Sequence, residues 1–419
     1  MIPKRAFLIT GTFLLSVLLY IDRACIATAK EGIAGDLQLS DTQWGWVMSA
    51  FALGYALFQT PTGAIADRFG PRVLLTSVVV LWSFFTGMTG MVRGFVSLIA
   101  VRFLFGAGEA GAFPGIARAL FSWIPMAERG RAQSINFSGT RLGAAFAMPL
   151  VTWALVTFGW RNMFLILMGI GFVWAVFWFF WFRDEPEYHP RISTQEKDYI
   201  LANRQQPDAT QKQKVPFSLM AHSPNMWMVM VQYFCSNFTF FFALSWLFPH
   251  LKRTYNLETM ETGLYTSAPF IGGAIGSVCA GWLVDRIYKQ GNWQLSRRLP
   301  AMIGFALAAI GLLMSLNMET ALGAVIWFTV AIFGADMTLS PSWSFCTDIG
   351  RKNAGAVSGT MNMAGNIGSL VTSLAFPYLL KWTGTTTPFF YVAAGLNVLA
   401  IVLWTRMKSD RPLEIESSQ

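Results

Sequence analysis

Residues 63–72 read GAIADRFGPR, and residues 281–286 repeat the core of that pattern as GWLVDR. Each copy follows a run of apolar residues, and Gly281 lies 218 positions after Gly63, about half the length of the chain. A pattern that recurs at a half-chain offset indicates two related halves. We therefore expect the chain to fold as two structurally similar halves.

The composition places both halves in a membrane. Of the 419 residues, 54% are hydrophobic and 13% are charged, whereas soluble chains contain about 25% charged residues. Apolar runs of about 20 residues recur along the chain, and each is long enough to cross a bilayer as a helix. The sequence predicts an all-α integral membrane protein with twelve transmembrane helices, over residues 7–28, 43–66, 73–92, 96–122, 132–157, 161–182, 224–249, 260–284, 299–317, 321–345, 354–379 and 385–406.

One long polar stretch divides the predicted helices into two sets of six. Within this stretch, Ser193 and Glu196 have the spacing of a capping box, which predicts a short surface helix. We predict an N-terminal six-helix bundle over 1–182, a cytoplasmic linker over 183–223, a C-terminal six-helix bundle over 224–409 and a cytoplasmic tail over 410–419.

The basic residues orient the predicted helices. With both termini in the cytoplasm, 21 of the 31 Lys and Arg residues, Arg129 and Arg297 among them, lie in cytoplasmic segments, and 6 lie on the opposite face. This asymmetry is typical of cytoplasmic loops. It predicts a multi-pass protein of the inner (plasma) membrane. It also explains the net charge of +9 without a nucleic-acid partner.

Several enzymatic classes are disfavoured. Residues 106–111, GAGEAG, match a dinucleotide-binding fingerprint, but they lie inside an apolar run without the strand that this fingerprint requires. The glycines suit close packing between membrane helices instead. The chain has no G-x-x-x-x-G-K-[ST] loop, and its three histidines lie outside the centres of the spans. We therefore expect neither an enzyme nor a bound cofactor or metal.

Charged residues inside the predicted spans are the strongest functional candidates. Each charge at the bilayer centre costs on the order of 3 kcal/mol, so such residues usually have a function. They are Asp22, Arg23, Arg102, Glu109, Arg118, Arg141 and Asp336.

The first span contains two of these charges, Asp22 and Arg23, side by side. Neighbouring residues on a helix point about 100° apart, so the two need not pair with each other. The planar guanidinium of Arg23 suits a carboxylate because it can bond to both oxygens. The alternative is a charge pair that locks this span to a neighbouring helix.

Glu109 and Arg102 share one face of the fourth span, two turns apart. Seven residues rise ~10 Å, which is too far for direct contact. Glu109 lies among small apolar residues, where its charged form is costly, so it is suited to take up and lose a proton. The alternatives are a Glu109 satisfied by a neighbouring helix and an Arg102 that holds Asp22 or Glu109 in place.

Three further residues of the first half, Tyr55, Thr140 and Arg141, are candidate substrate contacts. Tyr55 can bond to a carboxylate or hydroxyl, or it can be a core residue. Arg141 lies ~15 Å into the fifth span, close to the bilayer midplane. It is either a second anion-binding arginine or a hydrogen-bonding residue between helices, and Thr140 beside it is a candidate polar contact.

The repeated motif predicts a gate. Asp67 and Arg68 lie at the end of the second span, and Asp285 and Arg286 lie at the end of the eighth. Their recurrence favours charge pairs that form in one conformation and break in another. Solvated loop charges are the alternative.

These stretches resemble a known family. GAIADRFGPR and its copy resemble the loop signature of the major facilitator superfamily, and the resemblance covers essentially the whole chain. Within it, YIDR at 20–23, RFLFGAGEAGAFPG at 102–115 and PSWSFCTDIGRKNAGAVSGTMNMAGN at 341–366 resemble the anion:cation symporter family. That family is similar to bacterial carriers of hexuronates, aldarates and aldonates, and to animal sialic-acid and vesicular glutamate carriers.

The resemblance implies two pseudo-symmetric six-helix bundles and assigns roles to residues. The acid at the position of Glu109 transfers the coupling proton, Asp22 takes part in proton movement, and Arg23 meets a substrate carboxylate. Asp336 departs from the family's pattern. Polar and aromatic substrate contacts are implied at Ser340, Trp343, Asn362 and Asn366.

The sequence therefore predicts a secondary transporter that imports a small organic anion, such as a sugar acid, by proton symport with alternating access. It would act as a monomer, with the proton as coupling ion and no cofactor. One alternative is a drug or metabolite:proton antiporter, although the Gly-Pro pair usual in the fifth span of such exporters is missing. The other is a membrane receptor or enzyme.

Overall fold

The computed structural model describes residues 3–205, 217–257 and 259–413. Regular secondary structure in these residues is helical throughout, and short 3₁₀ turns cover Met126–Glu128, Pro186–Tyr188 and Arg351–Asn353. The α-helices are α1 (Lys4–Thr28), α2 (Lys30–Leu37), α3 (Asp41–Thr89), α4 (Phe95–Glu109), α5 (Ala112–Trp123), α6 (Arg129–Trp181), α7 (Thr194–Asn203), α8 (Phe217–His222), α9 (Pro224–Ser245), α10 (Leu247–Tyr255), α11 (Thr259–Lys289), α12 (Trp293–Ser315), α13 (Ala321–Met337), α14 (Leu339–Gly350), α15 (Ala354–Thr383) and α16 (Thr387–Arg406).

The helices follow the predicted spans, with differences at the breaks. Helices α3 and α6 each contain two predicted spans and turn between them at a glycine with positive φ, Gly70 (81°) and Gly159 (73°). Glycine adopts this conformation without a Cβ clash. Three predicted spans are each divided into two helices, namely α4 with α5, α9 with α10, and α13 with α14.

The helices are long and apolar enough for a multi-pass membrane protein. In the part of the chain that the structure describes, nine helical stretches meet the length and hydropathy needed to cross a bilayer. Two of them, Trp46–Thr89 with 44 residues and Ala321–Thr383 with 63, are more than twice as long as the roughly 20 residues that one crossing requires. The count of twelve crossings stays a prediction.

One compact unit comprises Met1–Pro125, Gly139–Asp208 and Arg351–Thr360. Its core contains fully buried side chains such as Ile26 and Val47. The unit therefore contains Asp22, Arg23, Arg102 and Glu109, four of the six charges in the first-half spans, and all of these four except Arg23 are buried.

Glycines set the distance between α3 and α4 in this unit. A Cβ on Gly54 would collide with the backbone of Phe103, and a Cβ on Gly106 would collide with the backbone of Phe51 and Tyr55. The two helices therefore touch backbone to backbone. This confirms that the glycine-rich stretch in α4 serves packing, as small residues do in membrane helices.

The other compact unit comprises Met126–Ser138, Ala209–Gly350 and Met361–Gln419. Its core is aromatic: the ring of Phe242 lies 5.1 to 5.3 Å from three other phenylalanine rings. Asp336 is buried here on α13, where Gly273 of α11 leaves space for its carboxylate.

The linker contributes one helix, α7, to the first unit. Its start confirms the predicted helix and one half of the predicted capping box, because the Ser193 hydroxyl accepts the backbone N–H of Glu196 at 3.2 Å, whereas the Glu196 side chain does not return to Ser193. The Glu196 carboxylate accepts the backbone N–H groups of Lys4 (2.8 Å) and Arg5 (3.0 Å) at the start of α1. An acid at a helix N-terminus is stabilising, so α7 is fastened to α1.

The predicted boundaries of bundles, linker and tail stay predictions. Residues 206–216 of the linker and 414–419 of the tail lie outside the described residues.

Candidate functional site

The central feature of the first unit is an ion pair between Arg23 of α1 and Glu109, the last residue of α4. Arg23 Nε donates to Glu109 Oε1 at 2.8 Å. The Glu109 side chain is 1% exposed, whereas that of Arg23 is 20% exposed. The second oxygen, Oε2, has no hydrogen-bond partner among the described residues. The pair is therefore accessible from the arginine side only.

Aromatic rings surround the Arg23 guanidinium. Its central carbon lies 4.5 Å from the ring centroid of Tyr55, 5.2 Å from that of Tyr20 and 5.3 Å from that of Phe51. A guanidinium within about 6 Å of an aromatic face is attracted by the ring quadrupole. These rings hold the cation in place and leave its edge for hydrogen bonds.

Asp22 and Arg102 are buried beside this pair, with 1% and 2% exposure. The Arg102 guanidinium lies 4.9 Å from the ring of Phe51, which therefore contacts both arginines. Neither Asp22 oxygen has a hydrogen-bond partner within the described residues. The structure thus brings together Asp22, Arg23, Tyr55, Arg102 and Glu109.

Thr140 and Arg141 lie on α6 and are buried. They stand between two glycines that face α1: a Cβ on Gly139 would meet Phe13, and one on Gly143 would meet Tyr20. This part of α6 is therefore held against the helix that contains Arg23. Tyr20 is a neighbour of both sites, because it lies next to Gly143 of α6 and its ring faces Arg23.

The second unit contains Ser340 and Trp343 on α14. The Ser340 hydroxyl donates to the backbone carbonyl of Gly130 at 2.9 Å. The Trp343 indole N–H donates to the Tyr233 hydroxyl at 2.9 Å, and its ring packs 5.5 Å from that of Phe137. Both predicted residues are buried and hold helices of this unit together.

Asn362 and Asn366 lie one turn apart on α15. The Asn366 amide donates to the backbone carbonyl of Asn362 at 2.8 Å. Asn362 is buried, whereas Asn366 is partly exposed. A Cβ on Gly365 would collide with Tyr233, so α15 approaches α9 closely at this point.

Asp67 of the repeated motif caps a helix. Its carboxylate accepts the backbone N–H groups of Gly355 (3.0 Å) and Ala356 (2.8 Å), in the first turn of α15. Arg118 Nε lies 3.9 Å from the same carboxylate. One turn before Asp67, the absence of a Cβ on Gly63 lets α3 approach the Gly355 backbone.

Asp285 makes the same contacts in the second unit. Its carboxylate accepts the backbone N–H groups of Gly130 (2.8 Å) and Arg131 (3.0 Å), in the first turn of α6. Gly281, one turn earlier, approaches the Gly130 backbone. The spacing Gly-x-x-x-Asp in both copies therefore has one physical explanation: the glycine permits contact, and the acid satisfies N–H groups at a helix N-terminus.

Arg68 and Arg286 of the motif have a different environment from the acids. Their guanidiniums lie 4.9 Å from the rings of Phe69 and Trp282, respectively. Neither has an ion-pair partner within the described ranges. In this structure the motif acids bond to helix N-termini, with Arg118 3.9 Å from Asp67 and Arg131 3.7 Å from Asp285, and the gating role of the motif stays a prediction.

Sequence reasoning missed a buried cluster around Asp348 of α14. Arg129 and Arg297, which the charge pattern assigns to cytoplasmic segments, are fully buried and both donate to the Asp348 carboxylate. The Trp293 indole N–H is a further donor, at 2.9 Å. The two arginines are thus buried inside the protein beside an aspartate that compensates their charge, and their position on the cytoplasmic side stays a prediction. The sequence signal was an acid six residues after Ser342 in an otherwise uncharged helix.

No three His, Cys, Asp or Glu side chains converge as a metal site in the residues that the structure describes.

Comparison with known proteins connects this geometry to a family. The Major Facilitator Superfamily profile matches residues 12–373. The chain is 34% identical over 401 residues to the probable sulfoacetate transporter SauU of Cupriavidus necator, covering 95% of this chain and 93% of that protein. It is 29% identical to the hexuronate transporter of Bacillus subtilis (97% and 96% covered) and 32% identical to the probable galactarate/D-glucarate transporter GarP of Escherichia coli (91% and 89%). These names denote transporters rather than enzymes, as the sequence predicts.

Solved structures show the same fold. The structure of FucP in the outward conformation aligns with a TM-score of 0.75 at 12% identity, covering 96% of this chain and 98% of that one. The proton:xylose symporter XylE aligns with a TM-score of 0.73 at 16% identity, covering 98% of each chain. The all-α major facilitator fold predicted from the sequence is confirmed. The chain belongs to the Major Facilitator Superfamily.

Proposed function

We propose that this protein is a secondary active transporter that imports a small organic anion by proton symport with alternating access. The observation that supports this most directly is the 2.8 Å pair between Arg23 and Glu109, buried on the acid side and partly exposed on the arginine side. This geometry makes one cation available to two alternative anions.

The two anions are the Glu109 carboxylate and the carboxylate of a substrate. Protonation of Glu109 removes its charge and weakens its hold on the guanidinium, because the Coulomb attraction between the two opposite charges is lost. Arg23 is then free to bond to a substrate carboxylate through its planar edge. When the substrate leaves and Glu109 loses its proton, the original pair re-forms. Proton uptake and substrate binding are thereby linked.

The substrate class follows from the relatives and from the charge of the site. The three relatives are named for sulfoacetate, hexuronate and galactarate/D-glucarate, each a small acid with at least one carboxylate. Two arginines, the partly exposed Arg23 and the buried Arg102, suit such an anion. A sugar acid is the substrate that we propose, because the hydroxyl groups of its chain would be matched by neutral polar residues.

The proposed substrate contacts come from both halves of the sequence, and all of them except Arg141 are neutral. In the first, we propose Tyr55, Thr140 and Arg141 as substrate contacts near Arg23. In the second, we propose Ser340, Trp343, Asn362 and Asn366. In this structure Ser340 and Trp343 donate hydrogen bonds to other protein groups. Substrate binding by these two residues therefore requires that those bonds break during transport and that bonds to the substrate replace them.

Asp22 is the second protonation site in this proposal. Its carboxylate is buried and without hydrogen bonds of normal geometry in the described part of the chain, a situation in which the charged form is costly. Protonation of Asp22 would lower that cost while Arg102 turns toward the substrate.

Asp67 and Asp285 form the gate in this proposal, with Arg68 and Arg286 beside them. Each acid bonds to the first turn of another helix, and we propose that these bonds open and close in each transport cycle. We further propose the inner (plasma) membrane, both termini in the cytoplasm, a monomeric state and no cofactor besides the proton. The distribution of Lys and Arg supports that orientation.

The substitution Glu109→Gln tests the proposal. It mimics permanently protonated Glu109, so we expect substrate binding and exchange of labelled for unlabelled substrate across a vesicle membrane to persist. Accumulation driven by an imposed pH gradient should be lost. Both assays are run in the same proteoliposomes, with a panel of hexuronates, aldonates and aldarates as substrates.

Glu319→Gln is the matched control, because Glu319 is exposed between α12 and α13. It should behave as the parent protein in both assays. Accumulation by Glu109→Gln vesicles at the parental level would refute Glu109 as the coupling group and make Asp22 the candidate. If Glu109→Gln loses both exchange and accumulation, the substitution has damaged substrate binding instead.

A further inference from the structure

A basic cavity lies where the end of α11 meets the start of α6 in the second unit. Its volume is about 350 Å³, and Arg131, Trp282, Asp285, Arg286, Lys289 and Gln290 line it. The transport proposal uses only Asp285 and Arg286 of these residues, and it assigns no ligand to the cavity.

The cavity has a positive charge that its own acid does not neutralise. The Asp285 side chain is 1% exposed and directs its oxygens to backbone N–H groups of α6. Arg131 lies 3.7 Å from Asp285, yet its side chain is 56% exposed. Arg286 and Lys289 are exposed, and within the described residues neither has an ion-pair partner. Three cations thus face one opening.

An exposed apolar stripe leads along α11 to these cations. Ile271, Ile275, Val278 and Trp282 are 60%, 54%, 49% and 46% exposed. Their spacings of four, three and four residues place them on one helix face. Arg286 and Lys289 continue the same spacing, and the Arg286 guanidinium stacks on the Trp282 ring at 4.9 Å. On α6, Ile135 lies one turn beyond Arg131 and is 38% exposed.

The length of the stripe matches one leaflet of a membrane. From Ile271 to Trp282 the helix rises ~17 Å, close to half of a hydrocarbon core of about 30 Å. Tryptophan is enriched where the hydrocarbon meets the head groups. An apolar track that ends in a tryptophan and three cations has the dimensions and polarity of a phospholipid.

We propose that this surface binds one anionic phospholipid, with an acyl chain along the α11 stripe and the phosphate between Arg131, Arg286 and Lys289. Arginine is suited to phosphate because its fork bonds to two oxygens. Basic pockets at the cytoplasmic ends of transmembrane helices recognise anionic head groups. The bound lipid spans α6 and α11, so it strengthens the contact that Asp285 makes with α6.

Native mass spectrometry of the full chain in detergent tests the proposal, with dioleoyl phosphatidylglycerol and dioleoyl phosphatidylcholine as probes. We expect one phosphatidylglycerol to bind roughly tenfold more tightly than phosphatidylcholine, given three cations near the phosphate. The triple variant R131Q/R286Q/K289Q should lose this preference. The control R191Q/K197Q/R406Q removes the same charge outside the cavity and should keep it.

Two further arms make the result decisive. Inorganic phosphate at millimolar concentration should not displace the lipid; displacement would show a site for soluble anions and overturn the proposal. Equal loss of binding in both triple variants, or no preference in the parent, would overturn it as well. If the cavity triple variant does not purify as a folded protein, R286Q alone is used. Its side chain is exposed, and it should weaken phosphatidylglycerol binding severalfold without altering thermal stability in lipid-free detergent.

Discussion

At the scale of single residues, the environment of Arg23 is suited to an arginine. The guanidinium is in contact with three aromatic rings and donates to Glu109 through Nε. Flat rings pack against a flat cation, whereas a lysine ammonium is a compact charge with strong hydration. The rings therefore fix the orientation of the fork that would meet a carboxylate.

The substitution Arg23→Lys should weaken substrate binding by about 10- to 100-fold, since it replaces a fixed fork by a point charge and loses a charged hydrogen bond of about 1.5–3 kcal/mol. Binding of the acid panel to folded, detergent-purified protein by calorimetry measures this. Arg93→Lys, at an exposed position, is the control and should bind normally. Near-parental affinity in both Arg23→Lys and Arg23→Ala would remove Arg23 from the binding site.

The surroundings of Asp348 predict how its substitution changes the stability of the protein. Arg129 and Arg297 are fully buried against it. Breaking a buried ion pair by removing one partner typically costs about 3–5 kcal/mol, because a charge remains uncompensated. Asp348→Asn should therefore lower the melting temperature by several degrees in a fluorescence-detected thermal melt. Asp410→Asn, at an exposed position, should leave it unchanged, and an equally stable Asp348→Asn protein would contradict the structural role.

At the scale of helices, the sequence predicts positions better than partners. Apolar runs locate the helices because a bilayer crossing requires about 20 apolar residues. Gly70 and Gly159 lie in the short gaps between predicted spans, where a turn is needed. Breaks such as the one after Glu109 were not predicted, since the apolar run continues through them.

Partners are harder to predict because hydropathy gives the depth of a residue and not its neighbours. The sequence selects Arg23 and Glu109 as unusual, yet their pairing depends on how α1 packs against α4. Likewise, the motif identifies Asp67 and Asp285, but the helix N-termini that they cap come from distant segments. A cap made by a distant acid leaves no local signature in the helix that receives it.

These caps lead to a prediction for α6 and α15. Asp67→Asn and Asp285→Asn each keep an acceptor oxygen and lose the charge that interacts with the helix N-terminus, an interaction worth up to about 2 kcal/mol. Each variant should transport slowly in proteoliposomes and still bind substrate normally, since neither residue belongs to the proposed binding site. Asp198→Asn, on the exposed face of α7, should transport at the parental rate. Transport lost in exact proportion to binding would indicate misfolding and contradict a gating role.

At the scale of the whole molecule, the residues proposed for transport differ in charge between the two halves of the sequence despite the shared motif. Asp22, Arg23, Arg102, Glu109 and Arg141 all belong to the first half, whereas the proposed contacts of the second half are neutral. Buried ionisable residues in membrane helices mark proton and ion pathways. The first half would therefore handle protons and anionic charge, and the second would distinguish the hydroxyl pattern of the substrate.

This division predicts how transport in whole cells responds to a proton uncoupler. Cells that express the protein should accumulate a labelled sugar acid, and the uncoupler should abolish the accumulation because the proton gradient drives entry. A proton-coupled exporter would give the opposite response, since uncoupling stops export and raises the internal level of its substrate. A receptor or enzyme would show no uncoupler-sensitive flux.

Cells expressing Glu109→Gln are the internal control, because entry through exchange should survive there while accumulation is already lost before the uncoupler is added. Uncoupler-resistant accumulation by the parent protein would contradict proton symport, and the charged cluster of the first half would then have to bind another coupling ion.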